Sequence, residues 1–138
     1  MQTADLILIP LLDGTFSLAQ VDQIADGTVR LFLSTQTAKP HTPPKQLWPD
    51  DVIAVITLDT DTINWAVIGY ETVPRIPVSP VNAQPQDPAI AEALANAING
   101  LYPWDGFPDP TFFNSFLRDP ATRPVRARFA ADFPTPDT

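Results

Sequence analysis

Cysteine is absent from the 138 residues, and histidine occurs once, as His41. Without a thiol the chain can form no disulfide, no thiolate nucleophile and no thiolate metal site, and nothing in it demands an oxidising compartment. Charge is sparse as well, at 17% of residues against roughly a quarter in ordinary globular domains. Basic charge is the scarcer kind: eight Lys and Arg face sixteen acids, fourteen of them Asp, for a formal charge of −8. Such a surface repels a phosphate backbone, which removes nucleic acid from the expected partners and favours a basic protein.

Long hydrophobic runs are missing too. The opening run of DLILIPLLDGTFSLAQV, from Leu6 to Leu12, is interrupted by Pro10 and falls far short of the roughly 20 residues of a membrane span. Its flank MQTAD holds no Lys or Arg, and Asp5 abuts the run, so neither a secretory leader nor a membrane partner is expected. The expected location is the cytoplasm.

What is present is 44% apolar residues, in a length that suits one domain over residues 1–138. Asp13-Gly14 reads as a two-residue turn, because Gly accepts the positive φ of hairpin turns, and it separates LILIPLL from TFSLAQV. Asp26-Gly27 repeats that signal ahead of TVRLFLS, where Val29, Leu31 and Leu33 alternate with Thr28, Arg30 and Ser34. Residues 35–50, TQTAKPHTPPKQLWPD, carry four prolines and no period, and read as a long loop. DVIAVITL and INWAVIGY follow as β-rich runs, with DTDT between them as a hairpin turn. Strands are thus expected at 5–12, 15–21, 28–34, 51–58 and 63–70. Five short strands within residues 5–73 predict a mainly β member of the α+β class: a small curled antiparallel sheet or an SH3-like barrel.

Five prolines between Pro74 and Pro88 then make a stiff connector. Asp87-Pro88 forms an N-cap and a helix-first proline, and Ile90, Leu94 and Ile98 share one face before Gly100, which predicts a helix over 88–99. Asp109-Pro110 repeats the start signal ahead of Phe112, Phe113 and Phe116, so a short helical pair over 88–118 is expected to dock on the sheet. Eight of the thirteen aromatics lie after Gly100, more than a solvated appendage would carry. Residues 119–138 read as an extended tail.

Residues that could carry chemistry are few. His41 stands in a proline-rich loop without a nucleophile beside it. Asp59 and Asp61 invite a calcium reading, but the sixth-position Gly is missing and Tyr70 stands where a bidentate Glu belongs. Asp50 and Asp51, adjacent in sequence, would point to opposite faces of a strand and are poorly placed to share a proton. The phosphate-loop, dinucleotide, nucleophile-elbow and zinc-protease motifs are all absent, so no cofactor, metal or catalytic residue is expected. The aromatics Tyr102, Trp104 and Phe107 read as a structural plug, with an exposed binding epitope as the alternative.

DLILIPLLDGTFSLAQV and the later INWAVIGYETVP together resemble the immunity protein 26 family of bacterial polymorphic-toxin systems, over roughly residues 5–75. The likeness rests on Ile9-Pro10-Leu11, Asp13-Gly14, Phe16, and Trp65 with Ile68-Gly69. It implies a mostly β domain that neutralises a cognate toxin, often a nuclease, by binding it. From the residues themselves, Asp22, Asp26, Asp50, Asp59 and Asp61 are the candidate acidic partner surface, with Trp48 beside Pro49-Asp50 as a buried anchor. Two other classes stay open: a β module binding a peptide or small ligand beside the 35–50 loop, and an Asp-based hydrolase.

Overall fold

The computed structural model of the chain describes residues 1–41, 43–60, 62–77 and 80–134. Its centre is one five-stranded antiparallel sheet of β1 (Asp5–Pro10), β2 (Phe16–Ala25), β3 (Thr28–Ala38), β4 (Val52–Leu58) and β5 (Ala66–Tyr70), in the order β4-β3-β2-β1-β5. With one α-helix, α1 (Pro88–Ile98), and short 3-10 turns, the class is α+β, mainly β. Of the two expected forms, the open sheet is the one built, because β4 and β5 are its two edges and do not pair.

Two of the three expected turns are hairpins. Asp26 (φ 51) and Gly27 (φ 78) are both left-handed and join Ala25 to its partner Thr28, as a two-residue turn requires. Around Asp13-Gly14 the expected two-residue turn is instead a five-residue loop, Leu11 to Thr15. The Leu11 N–H donates to Thr15 O at 2.9 Å and the Gly14 N–H to Leu11 O at 3.2 Å, with Gly14 at φ 86. Asp13 Oδ1 closes the loop by accepting from the Thr15 N–H and hydroxyl.

DTDT is not a hairpin turn. β5 pairs with β1, on the far side of the sheet from β4, so residues 59–65 must return along the sheet before β5 begins. Ile63 and Trp65 explain this course: both pack into the core under α1, and Trp65 Nε1 donates to Glu92 Oε1 of that helix at 2.9 Å. The β3 strand is also longer than expected, running to Ala38 through an irregularity at Ser34 to Gln36, so the proline loop begins later.

Both faces of the sheet are covered, which is why LILI and VIAV lack the alternation of a one-sided strand. On one face Ile7, Ile9, Val21, Leu31, Leu33, Ile56 and Leu58 pack with Leu94 and Ile98 of α1 and with Trp104, Phe113 and Phe116. The other face has no helix. Leu6, Leu8 and Leu18 lie under Leu47 and Ala38, and Phe32 with Val55 lies under Val73 and Ile76. The two proline-rich segments thus form the third layer. Gln20, fully buried between these patches, ties Ala4 and Glu71 together by donating from Nε2 to both carbonyls.

α1 starts as expected, with Asp87 accepting from the Ala89 N–H at 2.8 Å and Pro88 in the first turn. The second expected helix is only a 3-10 turn, Phe113–Phe116. At Leu117 the chain extends to reach the β4 edge, where Leu117 bridges Ala54 and the Arg118 N–H donates to Ile53 O at 3.0 Å. Further along that edge Gln86 exchanges hydrogen bonds with Thr57 and Asp59. The exposed β4 edge is thereby closed, whereas β5 has no strand on its outer side among the described residues.

The aromatic stretch is core: Trp104 is buried and its Nε1 donates to Asn114 Oδ1, while Tyr102 and Phe107 stack around Phe113. The described tail is docked as well, with Arg128 donating from Nε and NH2 to Gly100 O and the Ala130 N–H donating to Asp105 Oδ1. Among the described residues no helix is long and apolar enough to cross a membrane.

Candidate protein-binding surface

Antiparallel order sorts the strand ends, and one end of the sheet collects acids. There β1 begins at Asp5, the β2–β3 turn holds Asp26, β4 runs out into Asp59, and β5 ends at Tyr70 followed by Glu71. Asp87 joins them because the Asp59 N–H donates to its neighbour, Gln86 O, at 2.8 Å. Four strand spacings of about 4.8 Å separate β4 from β5, and along the strands Asp5 and Tyr70 stand level with Ile56, about 10 Å short of Asp59 at 3.3 Å per residue.

The charges here are unevenly neutralised. Asp22, four residues before Asp26, meets the Arg30 guanidinium of the neighbouring strand at 2.6 Å. Asp26, Asp59 and Asp87 are exposed and have no base within ion-pair distance among the described residues. Tyr70 is 77% exposed and lies opposite Asp5 on the open β5 edge, while Val67, 48% exposed, stands three residues back on that strand, level with Ala54 of β4.

Trp48 and Asp50 lie elsewhere. They sit at the start of β4, and Asp50 is separated from Asp59 by all seven residues of that strand, more than about 20 Å at 3.3 Å per residue. Trp48 is 60% exposed, and its backbone N–H donates to Asp51 Oδ2 at 2.8 Å. Asp51, whose Oδ1 also accepts from Gln36 Nε2, holds the 3-10 turn Pro49–Asp51 that opens β4. Asp61 lies outside the described residues. The structure therefore brings Asp22, Asp26 and Asp59 together and leaves Trp48 and Asp50 at the opposite end.

Asp5, Tyr70, Glu71 and Asp87 escaped the sequence reading. Those at the ends of β1 to β4 could be found by alternating strand direction, but Tyr70 and Glu71 could not, since they depend on β5 crossing to β1. Elsewhere, three carboxyls are held below the ordinary aspartate range by local turns. Thr15 does this to Asp13 chiefly through its hydroxyl, Thr111 to Asp109 chiefly through its N–H, and Thr122 to Asp119 chiefly through its hydroxyl. These are turn-closing groups, remote from the acidic end.

The residues that carry the family likeness are architectural. Trp65 anchors the crossover on Glu92, and Gly69, at φ 149, lies where an added Cβ would meet the Pro44 ring at 2.5 Å. No family model, curated protein or solved structure matches the chain.

Proposed function

We propose that this chain is an immunity-type protein that neutralises a cognate bacterial toxin by stoichiometric binding, with the acidic end of the sheet as its docking surface. A nuclease domain is the class of toxin that fits, because a cleft built to attract phosphates also attracts clustered carboxylates. The observation that carries this reading is the gathering of Asp26, Asp59 and Asp87, exposed and without a basic neighbour among the described residues, at one end of a rigid sheet. Long-range attraction would speed encounter, and the exposed Tyr70 would supply desolvated contact area. Residues 1–117 carry thirteen acids against four bases, so the field over most of the molecule has the same sign as the docking end.

The test is capture from the native cells with the full chain as bait, alongside an Asp26→Asn/Asp59→Asn/Asp87→Asn bait. The expected result is a basic protein retained at low salt by the wild type, retained less by the triple variant, and toxic to cells that lack this chain. Equal retention by both baits, or a retained protein that is acidic and harmless, would overturn the reading.

A further inference from the structure

The basic charge of the chain is concentrated at the end of the sheet opposite the acids. Four of its eight bases fall between Arg118 and Arg128. A groove of about 480 Å³ opens there between the end of β3, the C-terminus of α1 and residues 122–126, a volume suited to a small organic ligand. Thr35 and Thr37 line it together with Arg123 and Arg126, and the partly exposed Ile53 supplies its apolar floor. Among the described residues no carboxylate lines it.

The two arginines are placed rather than paired. Arg126 NH1 donates to Asn99 Oδ1 at 3.2 Å, which leaves its other donors uncommitted, and the Arg123 guanidinium lies 4.4 Å from the centre of the Phe129 ring, on the side of a neighbouring groove lined by Trp104, Asp105 and Phe129. Among the described residues neither has a carboxylate within ion-pair distance, in a chain holding sixteen acids. Between them Val125 is 103% exposed, an apolar side chain at the rim with nothing over it. The negative end of α1 also faces this groove. Near that end the carbonyls of Ala95, Asn96 and Ala97 accept from the N–H groups of Asn99, Gly100 and Leu101 and from Asn99 Nδ2. Asp50 and Asp119 line an adjoining groove that shares Ile53 and Thr122, and Asp119 accepts from Thr122 Oγ1 and the Ala121 N–H.

We propose that this groove binds an organic carboxylate with a short apolar body. Arg126 would take the carboxylate as a charge-assisted hydrogen-bond donor, and the body would lie on Ile53 and Val125. The apolar floor, and the lack of a glycine-rich nest of N–H groups among the lining residues, favour this ligand over phosphate. A peptide C-terminus and a free small carboxylate share this chemistry. The site stands independently of the acidic end.

The test is a titration of the ¹⁵N-labelled full chain, followed by NMR, with N-acetyl-Ala-Val-Leu as the free acid, the same peptide as its C-terminal amide, hexanoate, and inorganic phosphate. The free acid should shift the Thr35, Thr37 and Arg126 resonances saturably, and the amide should bind about tenfold or more weakly. Arg126→Gln should lose a similar factor, with Arg126→Lys retaining part of it. Tighter binding of the peptide acid assigns a peptide terminus, and tighter binding of hexanoate a small carboxylate. Equal affinity for acid and amide, wild-type affinity in a folded Arg126→Gln chain, phosphate binding as tight as the peptide acid, or no saturable shift below about 10 mM would each overturn the proposal. Should Arg126→Gln lose its native spectrum, the acid and amide comparison on the wild type decides alone.

Discussion

Replacing Gly69 by Ala adds one carbon and should be among the most damaging changes of that size in this chain. Gly69 pairs with Leu6 at the point where the β1–β5 register shifts, at a φ of 149 that side-chain-bearing residues rarely adopt. The new Cβ would lie 2.5 Å from Pro44 Cγ and 3.1 Å from its Cβ. A proline ring cannot rotate away, so either β5 or the loop that holds Leu47 over Leu6 and Leu8 must move. Backbone strain of this kind costs about 1–3 kcal/mol, and overpacking a filled site about 1–3 kcal/mol. The expected loss is therefore about 2–5 kcal/mol, read as a lower urea midpoint at unchanged slope and a fall in Tm on the order of 10 °C. Pro44→Ala in the same chain should return the packing share and leave the backbone share, giving a coupling of about 1 kcal/mol or more in a double-mutant cycle. A Gly69→Ala loss below about 0.5 kcal/mol, or no coupling to Pro44, would refute the placement of the proline loop as the sheet's second cover.

Leu94→Ala should cost about 2–5 kcal/mol by denaturant unfolding, because Leu94 is fully buried between α1 and the sheet. Trp104→Phe keeps most of the apolar surface but strands Asn114 Oδ1, for a loss of about 1–3 kcal/mol. Asp22→Asn should change stability by about 1 kcal/mol or less, and by less still in high salt, since Arg30 is one third exposed in that pair. Asp13, Asp109 and Asp119 have carboxyls depressed below the ordinary value of 3.8, so the stability they contribute is complete above that pH and is lost as the pH falls below it. The slope of stability against pH below about 4 should therefore flatten in Asp13→Asn, and an unchanged slope would contradict the turn geometry.

Local signals carried the elements whose causes are local. Asp26-Gly27 sets a two-residue turn by its own backbone preference, and Asp87-Pro88 with Leu94 and Ile98 sets a helix start and a buried face. The failures have non-local causes. DTDT has the composition of a hairpin turn, yet the runs it separates do not pair, because the half-buried Ile63 and Trp65 pack against the core and the outer edge of β1 is free to pair. Phe112 to Phe116 would suit a helix, but closing the β4 edge draws Leu117 into an extended form after one 3-10 turn. The acids of the docking end were individually visible in turns. Their sorting into two ends needed the strand order, and the β5 crossover that adds Tyr70 and Glu71 has no mark in sequence spacing.

The most direct measurement of the proposed role is the association rate between the full chain and its captured basic partner, across a series of salt concentrations and for two variants. Asp26→Asn/Asp59→Asn should slow association several-fold at low salt, where the Debye length is about 10 Å or more, and change the dissociation rate little. Asp50→Asn, at the far end of β4, should leave both rates near the wild type. An association rate insensitive to salt, or an equal effect of Asp50→Asn, would contradict docking at the acidic end of the sheet.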